Sequence, residues 1–246
     1  LFAIAQYAGV TAAAYQQYAA LAAKAGFQVQ RVEVTGMERV DQVRVYQLVL
    51  AEKDRAMPLV DIDKVRADLL KYGWIKDARV ARRLPDTLAV EIVERKPAAI
   101  WQRNGKYSLI DANGIVLQNI AAGEGGDLPT LNGIDANRHA VALNTLLDNA
   151  SALKAQVIGA TWVGNRRWDL QFQSGETLAL PEGEKAAAEA LLNFARMDGI
   201  HRLLGRDLIH FDLRDPERAY FRKAPKVEPV KVESGDITST TSGREV

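Results

Sequence analysis

The 246-residue chain has no cysteine. Disulfides, thiolate metal sites and cysteine nucleophiles are thereby excluded, while the compartment stays open, because cysteine-free chains fold in reducing and oxidising surroundings alike. Histidine is scarce: His139, His201 and His210 stand outside any H-E-x-x-H or comparable spacing, so none is read as a metal ligand. A surplus of one charge is also missing. Lys and Arg number 32 against 31 Asp and Glu, without the basic excess that a dedicated nucleic-acid binder gathers in a patch or stripe. No Gly-x-Ser-x-Gly elbow offers a serine nucleophile. The glycine cluster Gly123-Glu124-Gly125-Gly126 is not followed by Gly-Lys-Ser/Thr and reads as a flexible loop, not a phosphate cradle. Asp61-Ile62-Asp63 reads as a helix cap with a second carboxylate in the first turn, not as a cation site. These absences leave no metal, cofactor or catalytic residue to expect. A cell-wall enzyme, the contrasting reading, would need a pocket in which acid, base or nucleophile groups converge.

What is present is an ordinary folded composition, 48% hydrophobic and 26% charged, in a chain long enough for one or two domains with real cores. The start is odd. It opens on Leu1, carries no charge before Lys24, and reads as truncated. Residues 1–26 form a membrane-proximal segment with two readings. Leu1 to about Val10 is the outer end of a transmembrane helix with Tyr7, Tyr15 and Tyr18 near the interface, or the segment is an Ala-rich soluble helix. No basic stretch precedes the apolar run, so no cleavable signal peptide is read.

From Phe27 the periodicity becomes legible. Val32 and Val34 alternate with Arg31 and Glu33 in a half-buried strand ending at Gly36. Val40, Val43, Tyr46 and Leu50 recur at helical spacing; after Met57-Pro58, Asp61 caps a second helix with Ile62, Val65, Leu69 and Tyr72 inward, and Gly73 ends it. Strands over Ile75 to Arg83 and Thr87 to Glu94 follow, joined by Pro85-Asp86, with Leu88, Val90 and Ile92 on one face. The order over 27–96 is β-α-α-β-β.

Residues 97–222 read as a second unit. Leu143, Leu146, Leu147, Ala150 and Leu153 share a helical stripe, and Trp168, Leu170 and Phe172 form one face of a hairpin that returns through Leu178 and Leu180. A helix with Ala187, Ala190, Leu191, Phe194 and Met197 inward precedes a strand over Leu208 to Arg214 and a short last strand, Arg218-Ala219-Tyr220-Phe221-Arg222. Strands flanked by helices make the chain α+β. Residues 223–246, rich in Pro, Ser, Thr and charge, lack the apolar side chains that offset ordering entropy and read as a disordered tail, or alternatively as a linker.

With no chemistry in view, function falls to surfaces. A final strand at a sheet margin presents unpaired N–H and C=O groups to which a partner strand can add. Tyr220 and Phe221 point to opposite faces there, one inward and one as an aromatic anchor. Arg214 and the pair Arg166-Arg167 beside Trp168 could fork to carboxylates on an acidic partner.

The ordered motifs carry a resemblance. Val32-Glu33-Val34-Thr35-Gly36, then Leu84-Pro85-Asp86-Thr87-Leu88-Ala89-Val90, then Val93-Glu94-Arg95-Lys96-Pro97 resemble a POTRA domain of the FtsQ/DivIB type. Ala99-Ile100-Trp101, Leu109-Ile110-Asp111-Ala112-Asn113-Gly114 and Leu128-Pro129-Thr130-Leu131-Asn132-Gly133 are similar to the elements that follow it in that family, so the likeness spans about 27–222. The resemblance implies a non-enzymatic scaffold of the divisome, without cofactor, that joins early and late division proteins at midcell during septum formation. It implies a single inner-membrane span with the folded domains in the periplasm. FtsB and FtsL would bind at the end of the β domain, and other division proteins at the POTRA domain, where Arg39, Asp41 and Arg44 are either a recruitment surface or hydrated helix charges. The partner-binding set it implies comprises Arg166, Arg167, Arg214, Arg218, Ala219, Tyr220, Phe221 and Arg222. The other reading is a POTRA-containing factor of outer-membrane protein assembly or transport.

Overall fold

The computed structural model describes residues 14–215 and 217–223. The expectations for Leu1 to Val10 and for the tail after Lys223 fall outside those residues. A helix, α1, covers residues 14–24, and two sheets follow.

The first sheet has three strands in the order β1 (Arg31–Thr35), β3 (Thr87–Glu94), β2 (Ile75–Arg83), with β1 parallel and β2 antiparallel to β3. Helices α2 (Gln42–Leu50) and α3 (Ile62–Leu69) pack Val45, Val49, Val65 and Leu69 against Ile75, Leu88, Val90 and Ile92. The strand expected from Phe27 begins only at Arg31, because 27–29 turn away to pair with 54–57: Val29 N–H donates to Arg55 O and Met57 N–H to Phe27 O. The stripe expected over Val40, Val43, Tyr46 and Leu50 is corrected in part, since Val40 is buried and Tyr46 half-buried. Val43 is 64% exposed and Leu50 is exposed, while Val45 and Val49 are inward. Asp41, accepting from the N–H of Val43 and Arg44, sets where the helix starts, and the docking against β3 selects the i, i+4 pair on the neighbouring face. On α3, Asp61 accepts from Lys64 N–H at 2.9 Å, as its position before an apolar periodic run predicts.

Gly73 does not terminate α3, which ends at Leu69. Its role is proximity: a Cβ there would lie 2.2 Å from Val116 O and 2.9 Å from Leu117 O. These carbonyls belong to the second sheet, whose nine strands run β12-β11-β10-β9-β8-β7-β4-β5-β6. They are β4 (Ala99–Arg103), β5 (Lys106–Ile110), β6 (Val116–Ile120), β7 (Thr130–Asn132), β8 (Val157–Val163), β9 (Arg167–Phe172), β10 (Thr177–Ala179), β11 (Leu208–Asp215) and β12 (Arg218–Lys223). Strand β8 has no counterpart in the sequence reading, and β12 runs one residue past the expected boundary at 222.

One face of this sheet carries the main core. Trp101, Leu131, Trp168, Leu170, Phe172 and Phe211 pack on Leu143 and Leu147 of α4 (Ala140–Asp148), Leu153 of α5 (Ser151–Lys154) and Leu191 and Phe194 of α6 (Glu184–His201). The helix expected across 136–153 is broken at Asn149 and Ala150, yet its five stripe residues are all buried. At the β6 end of the sheet, Trp74 packs over Ile100, Leu109 and Leu117 and donates from Nε1 to Gln118 Oε1 at 3.1 Å. The glycine-rich loop lies there too: a Cβ on Gly125 would strike the Ile100 side chain at 2.7 Å, which is a packing reason for the glycine.

The sheets are also tied by a shielded ion pair. Arg95, just past β3, meets Asp111 at 2.9 Å in the β5–β6 turn, both side chains largely covered. Asp111 Oδ1 also accepts from the N–H of Asn113 and Ile115, which shapes the Asp-x-x-Gly turn.

Candidate protein-binding edge

β12 is the last strand of the nine-stranded sheet, and among the described residues it pairs with β11 alone. Phe221 stands opposite Phe211, Tyr220 opposite Asp212 and Arg218 opposite Asp215, with register shifts on either side of the 210–212 stretch. The outer row of backbone groups on β12 therefore meets no other described strand. The sheet's opposite margin differs, since β6 has Gly73 against its carbonyls and Trp74 bonded to Gln118.

The two aromatic rings of β12 are both half exposed, Tyr220 at 52% and Phe221 at 48%, on opposite faces. Phe221 meets Phe211 edge to face at 5.6 Å between centroids; Phe211 meets Phe194 at 4.9 Å, and Phe194 stacks with Phe172 at 6.0 Å. A chain of rings thus runs from the core out to the margin and fixes one side of Phe221 while leaving the other uncovered. Arg218, Ala219 and Arg222 are exposed along the same strand.

On the other face, Tyr220 borders a hollow of about 380 Å³ with Arg166, Arg167, Glu182, Asp212 and Arg214. Of the arginines named from the sequence, Arg166, Arg167 and Arg214 are brought together here, and each of the three is engaged within the chain. Arg214 grips Asp212 through Nε at 2.9 Å and Nη2 at 2.6 Å, Arg166 Nε lies 3.0 Å from Glu182, and Arg167 Nε lies 3.3 Å from Asp169. Hydrogen bonds from Arg214 hold the Asp212 carboxyl below its ordinary range against the opposing effect of burial, and the same contact raises Arg214. A guanidinium has five N–H donors, so these pairs orient the arginines and leave donors for a further carboxylate. Asp212 lies in the segment Phe211-Asp212-Leu213-Arg214 that the resemblance already assigns to partner binding, whereas nothing in the sequence singles out Glu182 or Asp169. Asp212 and Asp169 alternate with apolar residues as any solvated strand face does, and only the fold brings Glu182 beside Arg166.

The remaining candidates have structural places. His139 stacks on Trp162 at 4.1 Å, His210 Nδ1 lies 2.6 Å from Thr177 Oγ1, and His201 is exposed at the end of α6. No group of three or more His, Asp or Glu among the described residues is arranged to hold a metal ion. A hollow of about 780 Å³ between α4, α6 and the β8–β9 turn is walled by Trp162, Trp168, Leu146 and Ala187, with Glu184 as its lining carboxylate. Asp41, besides capping α2, meets Arg44 at 3.1 Å.

Residues 27–95 match the family model "POTRA domain, FtsQ-type", and residues 99–214 match "Cell division protein FtsQ/DivIB, C-terminal". The cell division protein FtsQ of Novosphingobium aromaticivorans is 44% identical over 230 residues, which are 94% of this chain and 72% of that protein. The chain belongs to the FtsQ/DivIB family. FtsQ of Zymomonas mobilis is 48% identical over 191 residues, 78% of this chain and 60% of that protein, and FtsQ of Rickettsia conorii is 32% identical over 201 residues, 81% and 74%. Among solved structures, the major extracytoplasmic domain of DivIB from Geobacillus stearothermophilus shares 14% identity over 45% of this chain and 97% of that one at a TM-score of 0.32, too remote to carry an argument. This FtsQ/DivIB membership sets aside the outer-membrane assembly reading. The C-terminal family match stops at Arg214, so β12 lies beyond it.

Proposed function

We propose that this FtsQ/DivIB protein is a non-enzymatic scaffold of the division machinery that captures an FtsB/FtsL-type partner by strand addition at β12. The observation that carries the reading is the outer edge of β12, unpaired among the described residues and flanked on each face by a half-exposed ring. Four or five new main-chain hydrogen bonds would contribute a net ~0.5–1.5 kcal/mol each, which association entropy largely offsets. Side-chain anchors must therefore supply the affinity. Tyr220 and Phe221 would provide apolar contact, and Arg166, Arg167, Arg214, Arg218 and Arg222 would take carboxylates of an acidic partner, with Ala219 leaving room for the approaching backbone.

The same reading puts the folded residues in the periplasm at the septum, held to the inner membrane through an N-terminal helix, with the POTRA residues receiving other division proteins. No helix among the described residues is long and apolar enough to cross a membrane.

The test is partner affinity. Tyr220→Asp and Phe221→Asp should each weaken binding of an FtsB-type partner by roughly tenfold or more, Tyr220→Asp with an unchanged thermal midpoint and Phe221→Asp with a slightly lower one, since it loses the edge-to-face contact with Phe211. Proline separates the two edges of β12, because N–H groups of neighbouring residues point to opposite sides of an antiparallel strand. Of Tyr220→Pro and Phe221→Pro, one should abolish partner binding with β12 still docked on β11, and the other should release β12 itself. Unchanged affinity in both aspartate variants sinks the site.

A further inference from the structure

One end of the first sheet carries apolar side chains that the scaffold reading does not use. Helix α1 is folded onto this end: Ala19 is buried, Tyr15 Oη donates to Pro58 O at 2.6 Å, and Phe27 N–H donates to Ala22 O at 2.9 Å. Residues 27–29 in turn pair with 54–57, so α1, the strand that follows it and the 50–59 connection form one continuous patch of surface. On that patch Tyr18 is 60% exposed and Leu21 67%, and Tyr15, Phe27, Leu50 and Leu59 are exposed as well. Lys24 and Lys53 lie within it, with no ion pair among the described residues, Arg55 is engaged by Glu52 at 2.6 Å, and the exposed Asp54 is the other carboxylate, so the cations exceed the carboxylates by one.

We propose that this end of the protein rests in the headgroup layer of an anionic phospholipid bilayer, with α1 as a strut that fixes how the first sheet stands on the membrane. Tyrosine and leucine beside lysine suit that layer, where rings sit at the headgroup level, apolar tips reach the acyl boundary and ammonium groups meet lipid phosphate. The contacts of Tyr15 and Ala19 also mean that α1 leaves the membrane already docked and does not act as a free tether. This inference rests on the anchored reading only in placing a bilayer ahead of residue 14, and it is independent of the β12 edge.

The absence of cysteine makes the test direct. Leu59→Cys and Lys106→Cys in the full 246-residue chain each accept one environment-sensitive fluorophore, Lys106 being an exposed residue of the second sheet. With vesicles containing phosphatidylglycerol, the Leu59 label should shift to the blue and the Lys106 label should not; with pure phosphatidylcholine the Leu59 shift should need more lipid. The double variant Tyr18→Ser/Leu21→Ser should raise the lipid concentration at half-binding by roughly tenfold. It should retain its thermal midpoint and its affinity for the β12 partner, since both side chains are exposed. If the chain floats with vesicles but the Leu59 label stays unshifted, contact is made by residues ahead of α1 alone; the inference falls and the anchored reading stands. Absence of flotation overturns it, and so does a shift that follows protein concentration without lipid, which would mark a second copy of the chain as the occupant.

Discussion

Glu94, at the end of β3, accepts from three successive backbone N–H groups, those of Glu38, Arg39 and Val40, at 2.8–3.0 Å, and so fixes the loop that leads into α2. Burial alone would raise its pKa, but the three donors outweigh that and hold the carboxyl below its ordinary value. Asp86, Asp77 and Asp212 are lowered as well, chiefly by side-chain hydrogen bonds from Arg31, Arg66 and Arg214 respectively. A carboxyl lowered in the folded state contributes stability that is complete above its unfolded pKa of ~4 and is lost as pH falls through the folded value. The denaturation midpoint should therefore be flat from about pH 8 to 5 and fall below about pH 4. Glu94→Gln, which keeps one acceptor and loses the charge, should cost about 1 kcal/mol at neutral pH by urea titration and make the acid limb shallower. No pattern in the sequence announces this contact, because Glu94 and its donors are more than fifty residues apart.

At the scale of elements, apolar spacing locates helices and strands better than it tells which side faces in. Helix α2 carries Val43, Tyr46 and Leu50 on one face and Val45 and Val49 on the neighbouring one, and only docking chooses between them. By contrast, Leu88, Val90 and Ile92 of β3 alternate strictly and are buried as the pattern predicts. Gly73 illustrates a position with two readings. Its place after a helix suggests a cap, while the structure uses its missing side chain to bring the first sheet against the β6 carbonyls. Gly73→Ala should leave each core intact and strain the junction, at a cost of roughly 1–3 kcal/mol. Arg95→Ala should act at the same seam, leaving Asp111 covered with its two turn N–H bonds but no cation, again at roughly 1–3 kcal/mol. For both variants, calorimetry should show the unfolding of the two sheets separating; a single unshifted transition would show that the seam contributes nothing.

Across the whole molecule, the two margins of the large sheet are treated unequally. β6 is covered by Gly73 and Trp74, and β12 meets no described strand on its outer side. Amide exchange should accordingly be slow in β5 and β9, and fast in β12 until a strand-adding partner protects it. The sequence by itself determined the α+β class, the β-α-α-β-β order and most element positions, because these follow from local periodicity, caps and turns that a reader of the chain can see, and its ordered motifs carried the resemblance to the family. It also brought Tyr220, Phe221 and the arginines forward. Only the tertiary structure decided that β12 closes the sheet, that Arg166, Arg167 and Arg214 are oriented by Glu182, Asp169 and Asp212, and that the first sheet caps β6. Those relations join residues far apart in the chain, where strand order and the approach of one sheet to another depend on how whole cores pack and not on any local spacing.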